Sequence, residues 1–76
     1  MNDTVLDILK GHFGHKKEIL PETNMLNDLG GDDLDVVDVL MQIEEKLNIK
    51  IPEEETFDLQ TVQQLLEVVE KHNVQN

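Results

Sequence analysis

A chain of 76 residues with 17 Asp and Glu against 6 Lys and Arg has a formal net charge of −11, and it contains no Cys, Trp or Tyr. That balance excludes nucleic acid and anionic membrane surfaces as partners, since neutralising phosphates takes clustered cations. It also excludes disulfides and Cys-based zinc staples, and no apolar run approaches the ~20 residues that span a bilayer.

What remains is one small domain over residues 1–76, which buries only about 60% of its unfolded surface and depends on good packing of a few aliphatic side chains. The N-terminus lacks the basic-then-apolar layout of a secretory signal, which makes the cytoplasm the expected location. An acidic monomer of this kind is expected to meet basic protein surfaces by long-range steering.

The first helical pattern is Val5, Leu6, Ile8, Leu9 and Phe13, apolar at spacings of three and four. Asn2 or Asp3 can cap its start and Gly14 suits its end, while Gly11 weakens the last turn. Residues 14–31 then read as a long connection rich in Gly, Asn and Pro. Ile19, Leu20, Met25, Leu26 and Leu29 are expected to pin it to the core.

A second helix is predicted from Asp33 to Leu47, capped by Asp32, with Asp33 and Asp35 in the first turn where carboxylates suit the positive end of the dipole. Its apolar residues form two stripes: Val36, Leu40, Ile43 and Leu47, and Leu34, Val37 and Met41. One stripe can face the core, which leaves the other partly at the surface. Pro52 precedes a short helical turn over Glu53–Phe57, with Leu59 packed behind it. A last helix opens at Thr61, where Thr61 and Gln64 form a capping box. It buries Val62, Leu65, Leu66, Val68 and Val69 and carries Lys71 and His72 near its negative end. Residues 73–76 are expected as a loose tail. The predicted fold is all-α, a small four-helix bundle of three main helices and one short one.

Between Asp28 and Glu45 stand seven acids and no base: Asp28, Asp32, Asp33, Asp35, Asp38, Glu44 and Glu45. Like charges at helical spacing repel by a few tenths of a kcal/mol each, so a helix shaped only by stability mixes in Lys. A solvated acidic face is the plain reading. The uncovered Leu34/Val37/Met41 stripe beside these charges points instead to a docking surface, which couples an apolar centre to a charged rim.

Four blocks carry a family resemblance along nearly the whole chain. They are Asp28-Leu29-Gly30-Gly31-Asp32-Asp33-Leu34-Asp35, the helix Val36 to Glu45, Ile51-Pro52-Glu53-Glu54-Glu55, and Thr61-Val62-Gln63. In order and spacing they resemble the acyl carrier proteins of fatty acid synthesis (type II), and the resemblance implies the fold predicted above.

It also implies that residue 33 is the position to which 4′-phosphopantetheine is attached, normally through a Ser, with Asp32 and Leu34 flanking it. Asp35, Val37, Asp38, Met41, Glu44 and Glu45 match positions that meet basic surfaces of the phosphopantetheinyl transferase and of the synthesis enzymes. Leu40, Ile43 and Leu59 match the wall of the acyl cavity.

The departure from that family is Asp33 itself. A carboxylate suits a helix start as well as Ser does but offers no hydroxyl nucleophile, so no prosthetic group is expected on this chain. Two origins fit: replacement of the Ser in a working carrier, or a degenerate homologue that keeps only docking to a basic partner. A carrier for aminoacyl or polyketide cargo is a third reading.

Other signals point nowhere. Counted from Asp28, Gly30 and Val39 stand where an EF-hand needs oxygen ligands, so no metal site is expected. Diffuse Mg²⁺ or Ca²⁺ binding that relieves self-repulsion is expected instead. His12, His15 and His72 read as surface side chains, and no Ser/His/Asp or Cys/His grouping supports catalysis.

Overall fold

The computed structural model describes residues 2–14 and 18–73. Helix α1 spans Asp3–Phe13, α2 spans Asp33–Leu47 and α3 spans Val62–His72, with no strand among the described residues. The expected fourth helix is only a 3-10 turn, Glu53–Glu55. Its three consecutive Glu side chains repel one another. Thr56 then closes the turn by donating both its N–H (2.9 Å) and its Oγ1 hydroxyl (2.7 Å) to the Glu53 carbonyl. Phe57, 72% exposed, gives the chain nothing to bury by continuing.

The helix starts follow local chemistry. Asn2 Oδ1 accepts from the Val5 N–H at 3.2 Å, and Asp32 and Thr61 each complete a capping box, with Asp35 and Gln64 as the reciprocal partners. Helix α1 runs through Gly11 to Phe13 and ends at Gly14, whose φ of +101° few side chains tolerate. At the end of α2, Asn48 takes the left-handed conformation and its N–H bonds the Glu44 carbonyl.

The long connection is fixed by bonds to α3. The Thr23 carbonyl accepts from the Val62 N–H (2.9 Å) and the Pro21 carbonyl from the Gln63 N–H (2.8 Å). Together with the Thr61 hydroxyl on the Gln64 N–H, these satisfy the first-turn donors of α3 that have no partner inside the helix. Met25 donates back to the Gln60 carbonyl at 2.7 Å, and the side chain of Asn24 accepts from the Leu26 and Asn27 N–H groups.

Ile19, Met25 and Leu29 are buried and Leu26 is half-buried, as the pinning expectation requires. Leu20 is not: it stands 40% exposed, because the turn closed between Leu20 and Thr23 directs Ile19 inward instead.

The core is one cluster drawing on all three helices and both long connections. Helix α2 contributes Val36, Val39, Leu40 and Ile43, with Leu47 packed at the edge. Val39, which belongs to neither expected stripe, is fully buried. Helix α3 contributes Val62, Leu65, Leu66 and Val69, while Val68 is half-buried. Asn73 caps α3, and the rest of the expected tail lies outside the described residues. No described helix is long and apolar enough to cross a membrane.

Candidate functional site

Asp33 is the first residue of α2 and is exposed; its carboxylate has no partner among the described residues. The chain reaches it through Gly30, at φ +72°, and Gly31. Gly31 lies so close to Phe13 that a Cβ there would stand 2.7 Å from Phe13 Cε1 and 3.1 Å from the Met25 carbonyl oxygen. The segment entering α2 is therefore seated against the end of α1.

Along α2 the apolar stripe expected at the surface is there: Leu34, Val37 and Met41 are 73%, 49% and 59% exposed. Asp38 and Glu45 are exposed beside them, and neither has a partner among the described residues. Asp32 and Asp35 are occupied locally. The Asp32 carboxylate accepts from the Asp35 N–H (3.1 Å) and the Asp35 carboxylate accepts from the Asp32 N–H (2.9 Å). Glu44 is half-buried, and its Oε2 accepts from the Ile51 N–H at 2.8 Å, tying α2 to the chain that precedes the 3-10 turn.

Leu40, Ile43 and Leu59 are all buried, Ile43 completely. A groove of about 200 Å³ opens beside them, lined by Val37, Leu40, Met41, Glu44, Ile51, Glu53 and Thr56. Leu40 alone of the three reaches that groove. A larger groove, about 580 Å³, runs between α1 and α2 past Ile8, Gly11, Gln42 and Glu45. Among the described residues no group of three His, Asp or Glu is placed to hold a metal ion.

Two of the histidines are not plain surface side chains. His12 Nε2 lies 2.8 Å from Asp35 Oδ1, and His72 Nε2 lies 2.7 Å from Glu55 Oε2, with Lys71 on the other Glu55 oxygen at 2.9 Å. The bond from His12, then that from the Asp32 N–H, holds the Asp35 carboxyl below the usual carboxylate range. Lys71 first and His72 second do the same for Glu55. An ionised carboxylate only accepts, so Nε2 carries the proton in both contacts. Neither pairing has a signal in the sequence, because the partners stand 23 and 17 residues apart. His15 lies outside the described residues.

Residues 3–69 match the family described as phosphopantetheine attachment site. The chain is 37% identical to an acyl carrier protein of Syntrophobacter fumaroxidans, over 95% of this chain and 90% of that one. It is 36% identical to acyl carrier proteins of Chlorobium phaeovibrioides and Chlorobium luteolum, in each case over 93% of this chain and 92% of the relative. A family match across most of the chain, together with relatives this similar end to end, means that the chain belongs to the acyl carrier proteins, whose family carries 4′-phosphopantetheine.

Proposed function

We propose that this chain is an acyl carrier protein of fatty acid synthesis whose residue 33 locks it in the unmodified state. Its α2 surface docks basic faces of the phosphopantetheinyl transferase and of the enzymes that exchange acyl groups. The observation that carries this reading is the α2 surface itself, where three exposed apolar side chains lie among the carboxylates of Asp33, Asp38 and Glu45, which have no partner among the described residues. An apolar centre with a charged rim is the composition of a docking patch, and charge of one sign speeds encounter with the opposite sign.

The residues do not fit the prosthetic group of the family. Attachment as a phosphodiester needs a hydroxyl at position 33, and the side chain there is an exposed carboxylate. An acyl phosphate formed in its place would hydrolyse. The groove beside Leu40 is the natural entry for an acyl chain; Ile43 and Leu59 lie deeper, and a chain reaching them has to part α2 from the 3-10 turn. The chain acts by presentation and docking, not by catalysis of its own.

Intact-mass spectrometry tests the proposal. The unaltered chain and Asp33→Ser are each incubated with coenzyme A, Mg²⁺ and a broad-specificity transferase. A gain of one phosphopantetheinyl group on the Ser form alone makes Asp33 the sole block in a working carrier site. No gain on either form means that the recognition surface has diverged, and the chain is then a docking module for a basic partner.

A further inference from the structure

The start of α2 holds one carboxylate that already has a base. Asp35 Oδ1 accepts a hydrogen bond from His12 Nε2–H at 2.8 Å, and Oδ2 accepts one from the Asp32 N–H at 2.9 Å, so both oxygens are engaged. The other acids of this face differ. Asp33, Asp38 and Glu45 have no partner among the described residues, and Glu44 meets only an uncharged backbone N–H.

His12 is also firmly mounted. Its side chain is 19% exposed, and its ring stands edge-on to Phe13, with centroids 4.9 Å apart at 75°. Phe13 in turn abuts Gly31, which leads into α2. The imidazole sits in the last turn of α1, which fixes its approach to the start of α2.

From this arrangement we infer that His12 is an internal competitor for the Asp35 carboxylate, so that a cationic group of a partner reaching the start of α2 must displace it. The inference rests on the docking reading above. Asp35 is 37% exposed, so an incoming guanidinium or ammonium can reach it, but finds Oδ1 already taken. Displacement swaps one charge-assisted bond for another, and the partner gains only the difference. His12 thus sets how strongly the first turn of α2 contributes to docking, and biases recognition toward partners that engage the exposed carboxylates of Asp38 and Glu45.

The test is calorimetric titration of a broad-specificity phosphopantetheinyl transferase into the unaltered chain, His12→Gln, Asp35→Asn, Asp38→Asn and the His12→Gln/Asp35→Asn double variant. Losing the competitor should raise affinity roughly two- to fivefold, the scale of a partly exposed ion pair. Asp35→Asn should lower affinity, and the double variant should match Asp35→Asn alone because His12 acts only through that carboxylate. Unchanged or weaker binding by His12→Gln, with Asp38→Asn still weakening it, overturns the competition but leaves docking intact. Binding indifferent to both Asp35→Asn and Asp38→Asn overturns docking and the competition together. A second measurement needs no variant: the His12 imidazole ¹⁵N resonances of the unaltered chain should move toward those of an unbonded ring on saturation with transferase, and resonances that stay put overturn displacement.

Discussion

Glu55 and Glu44 show how differently two acids of one small protein can be used. Glu55 gathers Lys71 and His72 from the last turn of α3, and both hold its carboxyl below the ordinary value of 4.5. A carboxylate whose folded-state value is depressed contributes stability above its unfolded value, and that contribution disappears as pH falls through the folded one. Urea midpoints of Glu55→Gln and the unaltered chain should therefore differ at about pH 6, and the gap should close only as pH falls through the depressed value of the folded Glu55 carboxyl, below 4.5. A gap that ignores pH would mean that the contact works by shape alone. Glu44 instead serves a backbone donor, the Ile51 N–H. Glu44→Gln keeps an acceptor there and should melt close to the unaltered chain. Glu44→Ala leaves the half-buried donor unpaired and should lose about 1–2 kcal/mol in denaturant unfolding.

At the scale of elements, two glycines near the α1–α2 junction answer to opposite constraints. Gly11 lies inside α1, and a Cβ there would meet nothing within 4 Å. Gly11→Ala should therefore stabilise the protein by about 0.5–1 kcal/mol through helix propensity and lower chain entropy. Gly31 faces Phe13 and the Met25 carbonyl, which also accepts the Gly31 N–H at 3.1 Å. The ring can swing aside but the backbone oxygen cannot, so Gly31→Ala should cost about 1–3 kcal/mol by overpacking. Melting curves of the two variants should shift in opposite directions; a common direction would remove the distinction.

The same elements show what the sequence made legible. Helix α2 was readable to both ends because capping side chains and the apolar period are local signals, written in residue types. Its exposed stripe of Leu34, Val37 and Met41 was readable for the same reason. The path of residues 18–31 was not. It is fixed by carbonyls of Pro21 and Thr23 on the first N–H groups of α3, and backbone atoms carry no residue identity. Val39 was missed although it obeys the same period, three residues after Val36 and four before Ile43 on the buried face. The ties of His12 to Asp35 and of His72 to Glu55 depend on tertiary approach.

For the whole molecule the governing quantity is charge. A net −11 on 76 residues opposes compaction, and from Asp28 to Glu45 no base offsets the seven acids within their own stretch of sequence. Relief comes from elsewhere: the Lys71 ammonium reaches Glu55 from α3, and the ring N–H groups of His12 and His72 donate to Asp35 and Glu55. These ties leave Asp33, Asp38 and Glu45 facing water. Divalent cations should gather over such a surface and weaken its self-repulsion more than monovalent salt does. Because no three-ligand group is preformed among the described residues, that gain should not depend on the fine geometry that separates Mg²⁺ from Ca²⁺. Millimolar Mg²⁺ and Ca²⁺ should thus raise the melting temperature alike, and beyond NaCl of matched ionic strength. A sharp preference for Ca²⁺ with a one-to-one calorimetric endpoint would point to an ordered site assembled as the ion binds. No gain beyond NaCl would mean that simple screening already relieves the repulsion, leaving apolar packing to set the stability of the fold.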